Sequence, residues 1–540
     1  MTKSFEHHAR TVSVLTFVSR VTGFARESIF SRVFGLGPIM DAFSFAFMLP
    51  NLSRRLFGEG ALSSAFLPRF TKLDQDDPAS AQRFGAMMLA ATGAILFGLL
   101  LVVECVLFVL WWNAPSVVVE LHAPLHMSGV LMPTIAVQPA ALGYELAMLM
   151  MPYMPLVCVV ALGSAVLQSK GRFFVAAAVP ILLNLSFIVV SLAAIPFLGE
   201  ESGRRTHIIL VGCSVLLAGV LQAAWTLSEL RKVGLVFEFR DAIARLHVKQ
   251  TMLQSFPVIL GMGALQINTF LGGLIASWPS FIGPTVFGIE YPLQQGAMGA
   301  LSSAQRLSEF PLAIFGLSIA TAIFPKLARE SSDLKMFAAT LQLGMRRAFF
   351  VGLPASVGLY FVAEPACGVA FQGNAFTHED TLRVAAILRG FTFAIWSYSM
   401  VHILLRAFYA LDDRRTPLRV SLCMVGLNLL LNVTLIFTPL REAGLAYSTA
   451  FCSIVQCVWL LWLIERRVPG VVDATLRKAF LKPIIATAVM AVVLAALITV
   501  LPAATTWSAQ GMQLLVMIPV GAGVFFVAAK LLRTPELTRG

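Results

Sequence analysis

The stretch SRVTGFARES at 19–28 places Arg20, Arg26 and Glu27 inside an otherwise apolar run. A second stretch, DAFSFAFMLPNLSRRLFGEG at 41–60, carries Asp41, Arg54, Arg55 and Glu59, and a third, AQRLSEF at 304–310, carries Arg306 and Glu309. Guanidinium forks stay charged and engage phosphate oxygens two at a time. Five arginines face four acids in these stretches, so internal pairing leaves positive charge over. A buried cation is costly unless a counter-ion arrives. The chemistry on offer is therefore recognition of a polyanion, with the acids Asp41, Glu27, Glu59 and Glu309 as ion-pair partners when it is absent. The competing reading is a set of salt bridges that only fix packing.

The elements holding these residues belong to a membrane. The 540 residues are 58% hydrophobic and 13% charged, about half the charge of a soluble domain. Apolar runs of about 20 residues, enough to cross ~30 Å of hydrocarbon, recur from end to end. Helices are expected near 11–34, 41–70, 83–112, 143–169, 173–198, 206–230, 249–276, 297–325, 337–363, 382–411, 416–438, 442–464, 478–501 and 510–532. With the N-terminus inside, the inner loops collect 26 Lys and Arg. The outer ones hold only Arg32, Arg204, Arg205, Arg383 and Arg441. That asymmetry predicts fourteen crossings with both termini cytoplasmic. The net charge of +12 therefore points to topology, not to nucleic acid. No cleavable signal peptide is expected, because Arg20 and Arg26 break the first apolar run. Six of the seven cysteines lie in apolar runs and read as small buried hydrophobes.

Arg20 falls about ten residues into the first helix, ~15 Å deep and near the bilayer centre, where snorkelling is out of reach. Such residues face a bundle interior or an aqueous cavity. Arg26, six residues on, lies ~9 Å along the axis and about 120° around it. The expected second helix is too long for one crossing and has Pro50, Gly58 and Gly60 at which to bend. Arg346, Arg347 and Arg406 lie near helix ends and are expected to snorkel, while Arg389 is deeper.

SSAFLPRFTKL at 63–73 is echoed by ATAIFPKLARE at 320–330, and LLNLSFIV at 182–189 by LLNVTLIF at 430–437. The offsets of 257 and 248 residues relate helices 1–6 to helices 7–12. The fold class expected is an all-α polytopic protein with two six-helix lobes in parallel pseudo-repeat, residues 1–235 and 236–468, plus two helices at 469–540. Parallel repeats of this kind place a cavity at their interface and suit alternating access.

The run SRVTGFARESIFSRVFGLGPIMDAFSFAFMLPNLSRRLFGEGALSSAFLP resembles the opening of the MurJ (MviN) lipid II flippases, and AQRLSEFPLAIFGLSIATAIFPKL (304–327) and AFYALDDRRTPLRVSLCMVGLNLLLN (407–432) resemble later parts. The resemblance implies a multidrug/oligosaccharidyl-lipid/polysaccharide (MOP) exporter. Its substrate would be the undecaprenyl-diphosphate-linked disaccharide-pentapeptide, lipid II, moved from the cytoplasmic to the outer leaflet. It matches cavity arginines to Arg20, Arg26 and Arg306, and second-helix charges to Asp41, Arg54, Arg55 and Glu59. It makes helices 13 and 14 a groove for the lipid tail. Two departures stand out: Gln305 precedes Arg306 where an acid is common, and Asn428 and Asn432, at i, i+4, stand where some members carry an acid for sodium. Both are neutral, which argues against sodium coupling while leaving the pair as the candidate ion site. The loop at 276–300 is longer than the family leads one to expect.

No enzymatic activity and no cofactor are expected; membrane potential or an ion gradient would drive transport, and cell-wall synthesis proteins are candidate partners. The alternative is a related MOP-type exporter of another polyprenyl-diphosphate-linked glycan. A membrane enzyme would need acids or histidines in long loops. Glu120, His122 and His126 are the nearest set, and a solvated loop accounts for them as well.

Overall fold

A computed structural model describes residues 2–58, 61–115, 119–121, 135–193, 203–235, 241–312 and 318–538. The helices are α1 (Thr2–Phe34), α2 (Pro38–Ser53), a π-helical turn (Arg54–Gly58), α3 (Ala61–Asp76), α4 (Pro78–Trp112), α5 (Pro139–Met150), α6 (Tyr153–Ser169), α7 (Phe173–Ala193), α8 (Gly203–Lys232) and α9 (Ala242–Phe281). They continue with α10 (Ala297–Pro311), α11 (Ser318–Arg329), α12 (Leu334–Phe361), α13 (Ala363–Phe371), α14 (His378–Ala410), α15 (Arg415–Leu435), α16 (Ala443–Arg467), α17 (Ala474–Val500), α18 (Trp507–Leu531) and the short α19 (Pro535–Thr538). Two small hairpins complete the described residues: β1 (Val119–Leu121) with β2 (Ile135–Val137), and β3 (Thr285–Val286) with β4 (Ile289–Glu290).

Each of the fourteen expected segments is helical over most of its described residues. Nine spans among the described residues are long and apolar enough to cross a membrane, or ten if α12 and α13, bent by 70° at Val362, count as one. Their outward faces carry exposed apolar side chains, such as Phe97, Val102 and Val109 on α4. In water such surfaces would be an aggregation hazard; against lipid tails they cost nothing. The remaining segments, α1, α2–α3, α9 and α10–α11, are not among these spans; α2, α3, α10 and α11 are each shorter than 18 residues. Three of these four carry the intramembrane charges, and α9 carries Gln254, Gln266 and Asn268.

Several expected single helices are broken. The second is α2 and α3 joined through the π-turn, the fourth divides at Met151–Pro152, and the eighth is α10 and α11. Prolines account for part of this: Pro50 cannot donate to the carbonyl one turn back, and the ladder resettles four residues on in the π-turn. Helix starts outside the apolar spans are set by side-chain caps. Asp77, Asp241, Asp333 and Asp473 each accept first-turn backbone N–H groups, and Thr377 with Asp380 forms a capping box.

The chain forms two compact units, Met1–Glu290 with Gln294–Met298, and Tyr291–Leu293 with Gly299–Gly540. In the first, α9 packs on α2, α3, α4 and α5. Its cores gather Phe30, Phe43, Met150 and Phe187 in one cluster and Phe66, Phe70, Phe84 and Leu230 in another. In the second, α14 packs on α12 and α16, and α17 on α12 and α18. One cluster there centres on Leu341, Phe408 and Leu460, and another, around Met490, Met517 and Phe525, fixes the last two spans to α12.

Candidate functional site: the intramembrane charges

The first unit separates its two α1 arginines into different environments. Arg20 is exposed, and no hydrogen bond or ion pair joins it to another described residue. Arg26 is 7% exposed. Its Nη1 donates to Asn184 Oδ1 at 3.1 Å, and its Nη2 lies 3.4 Å from Glu27 Oε2. The faces of Phe187 and Phe47 lie 5.3 and 5.8 Å from the guanidinium carbon, close enough for cation–π attraction. Asn184, on α7, uses its amide to donate to Ser19 O and Thr22 Oγ1, both at 3.1 Å. One side chain thus clamps α7 to α1 at three points. Asn184 comes up against Gly23, where a Cβ would stand 3.4 Å from its Nδ2. Asn184 is the polar residue of the repeat motif LLNLSFIV, a signal visible in the sequence as an amide inside an apolar run.

Asp41, in the first turn of α2, is fully buried. It accepts from Ser280 Oγ at 2.6 Å and from the Gly296 backbone N–H at 2.7 Å. Gly296 has φ +86°, and a Cβ there would meet the Gly37 nitrogen at 3.0 Å, so only glycine fits. Ser280 and Gly296 bracket the β3–β4 hairpin, whose turn residues Phe287 and Gly288 both have positive φ. The long 276–300 segment is therefore the end of α9 plus a folded hairpin fastened to α2 through one carboxylate. Sequence reading placed Asp41 among the charge partners and missed Ser280 and Gly296, because pairing 239 and 255 residues apart leaves no local pattern.

Arg54 and Arg55 occupy the π-turn, which packs against α6 and α9. π-turns inside helices concentrate at functional positions. Arg55 makes no hydrogen bond or ion pair with another described residue. Glu59 lies outside the described residues, as do His122 and His126; of Glu120 only the backbone pairing in β1 is described. Glu104, an acid within the α4 span that sequence reading passed over, has a buried Oε1 without a hydrogen-bond partner among the described residues. Its signal was plain, an acid in an apolar crossing.

In the second unit Arg306 and Glu309 sit one turn apart on α10, 3.7 Å from each other, each side chain 41% exposed. At that distance and exposure the pair contributes little. Arg389 pairs with Glu364 of α13 at 3.5 Å, an interaction that ties the bent α12–α13 segment to α14. Asn428 and Asn432 are buried. Asn432 Nδ2 donates to Asn428 Oδ1 at 3.0 Å, Asn428 Nδ2 donates to Ser448 Oγ at 3.3 Å, and Ser448 Oγ in turn donates to Asn432 Oδ1. The two side-chain carbonyls are thus engaged by protein donors, and the network joins α15 to α16. Asn184 and Asn432, equivalent in the repeat motif, are both interhelical clamps. Among the described residues no cluster of His, Cys, Asp or Glu could hold a metal ion.

Comparison with known proteins completes the picture. A family model described as "Lipid II flippase MurJ" matches residues 30–518. A probable lipid II flippase MurJ of Rhizobium tropici is 31% identical over 462 residues, covering 85% of this chain and 80% of that protein. The lipid II flippase MurJ of Burkholderia cenocepacia is 28% identical, covering 85% and 83%. Among solved structures, a lipid II flippase MurJ in an inward closed conformation matches with TM-score 0.76 at 21% identity over 97% of this chain and 99% of that one. An inward-facing multidrug resistance MATE family transporter of the MOP superfamily matches with TM-score 0.61 at 14% identity, over 86% and 98%. The last two establish the fold, an all-α polytopic membrane architecture, and the family model with the first relative establishes kinship. The chain belongs to the lipid II flippase MurJ family.

Proposed function

We propose that this chain moves lipid II, the undecaprenyl-diphosphate-linked disaccharide-pentapeptide, from the cytoplasmic to the outer leaflet by alternating access, with no bond made or broken. The observation that carries this reading beyond kinship is the unequal satisfaction of its arginines. Arg26 is engaged by Asn184 in a buried setting, whereas Arg20 and Arg55 have no described partner and Arg306 faces Glu309 across a half-exposed pair. In this reading Arg20, Arg55 and Arg306 meet the diphosphate during the cycle, Arg54 shares the π-turn with Arg55, and Arg26 contributes its charge alone. Neutralising these cations lowers the cost of enclosing them. Their return after release is favoured by an inside-negative potential, ~2.3 kcal/mol per charge per 100 mV. No cofactor enters this scheme. The charge asymmetry of the loops supports cytoplasmic termini, and enzymes that make or use lipid II are the partners expected beside it.

The decisive test is Arg20→Ala or Arg306→Ala in cells depleted of the native protein. Lipid II accessible at the outer leaflet should fall to background while protein level and thermal stability in detergent stay unchanged. Normal outer-leaflet lipid II in either variant overturns the assignment. Export of a different polyprenyl-diphosphate glycan, with lipid II distribution unaffected by depletion, would favour the related exporter.

A further inference from the structure

Outside the arginines of α1, the π-turn and α10, a second concentration of positive charge has no assigned role. Within the second unit, Arg346 of α12, Lys478 and Lys482 of α17, and Ala474, Thr475, Ala479 and Pro535 line a cavity of about 260 Å³. It opens at the first turns of α17, a helix of 27 residues, where the positive end of the helix dipole adds to the three cations. Lys478 is exposed and pairs with no other described residue; Lys482 spends one proton on the Arg533 carbonyl at 3.0 Å and keeps two. Arg346 is held by Glu536 of α19 through Oε1 alone, at 2.8 Å from both Nε and Nη2, while the other acid at this end, Asp473, is spent capping α17. The Glu536 side chain is 6% exposed, and its Oε2 is buried with no hydrogen-bond partner among the described residues. A buried carboxylate satisfied at one oxygen is a poor competitor for its arginine.

We propose that this cavity binds a phosphate-bearing anionic group, the headgroup of an anionic membrane phospholipid, and that Glu536 occupies Arg346 in its absence. The cavity's surroundings select a lipid over a free ion. Leu481, between the two lysines, and Ile484 and Ile485 just after them are exposed apolar residues of the span itself, so the cations sit where hydrocarbon gives way to headgroups. Basic pockets between membrane helices at that level suit acidic lipids, and each cation there contributes about 1 kcal/mol. Closing α19 over the cavity, or opening it, then depends on the lipid around the protein.

The test uses the full-length chain in neutral detergent, with thermal unfolding followed during titration of phosphatidylglycerol, phosphatidylcholine or inorganic phosphate. Phosphatidylglycerol should raise the unfolding temperature saturably, and phosphatidylcholine and phosphate should not. In Lys478→Gln/Lys482→Gln the apparent affinity should fall roughly tenfold or more; Lys478→Gln alone, at an exposed position, should give a smaller fall without disturbing packing. Glu536→Gln should tighten binding by freeing Arg346. Equal stabilisation by both lipids, or unchanged affinity in the lysine variants, overturns the site. Stabilisation by inorganic phosphate alone, lost in the lysine variants, overturns the lipid assignment in favour of a soluble anion.

Discussion

If Arg26 is a packed cation and not a ligand-facing one, its energetics must be coupled to Asn184. Asn184→Leu keeps the volume while removing the acceptor at 3.1 Å from Arg26 Nη1 and both amide donations to α1. A charge-assisted hydrogen bond contributes about 1.5–3 kcal/mol, and each neutral interhelical bond in a membrane averages ~0.6 kcal/mol. The expected loss is about 3 kcal/mol, slightly offset by the apolar leucine, because the 7% exposed guanidinium loses its Asn184 acceptor. Removing the cation as well, in Arg26→Met/Asn184→Leu, abolishes that uncompensated charge. The double variant should therefore be less destabilised than the two singles added together, by about 1.5–3 kcal/mol. Chemical denaturation of the purified protein in mixed micelles, run on all four members of the cycle, measures this term directly. A coupling below about 0.5 kcal/mol, the level expected of independent sites, would refute the reasoning. Arg26 would then belong with Arg20 as a residue whose partner is the substrate.

Three further outcomes follow from other parts of the structure. Asp41→Ala removes the shared acceptor of Ser280 and Gly296, leaving two buried donors; a cost of about 2–4 kcal/mol is expected, with faster amide exchange concentrated in 276–300. The N-capping carboxyls of Asp77, Asp241 and Asp473 are held below their ordinary 3.8, chiefly by hydrogen bonds from Ser80, Ala244 and Leu476 respectively. Folding binds fewer protons than unfolding there, so their stabilisation is complete above the unfolded carboxyl range and is lost as pH drops through the folded values. Asn at all three positions should flatten the dependence of unfolding temperature on pH below about 4, and an unaltered acid limb would contradict this. Gly368→Ala would drive a methyl into Gln510, which bonds the Gln372 side chain and the Ala504 carbonyl. Overpacking should cost about 1–3 kcal/mol and loosen α13 from α18, read as increased protease sensitivity near 502–506.

The elements were legible because a bilayer imposes a strong rule on the length of apolar runs, and nine or ten of the fourteen expected segments meet it among the described residues. Breaks were less so. Pro50 announced a bend, but the π-turn at Arg54–Gly58 depends on where α6 and α9 press against it, information spread over 200 residues. The charges show the same division. Their presence was plain in sequence, since an arginine in an apolar run has few explanations. Their roles were not, because Arg20 and Arg26 differ only in what stands opposite, and the deciding residue, Asn184, is 158 positions away. The repeat carried a clue of another kind. LLN recurs at 182–184 and 430–432, and in each copy the asparagine bridges its helix to a neighbour, α7 to α1 and α15 to α16. An amide can serve in both units because it donates and accepts at once and carries no charge to desolvate. Arginine has no such neutrality. Where its charge is cancelled by protein groups, as at Arg26, it holds helices together; where no described group answers it, as at Arg20, the protein bears a cost in the empty state that an arriving diphosphate removes. A carrier gains from that imbalance, because closure around its cargo becomes cheaper than closure around nothing.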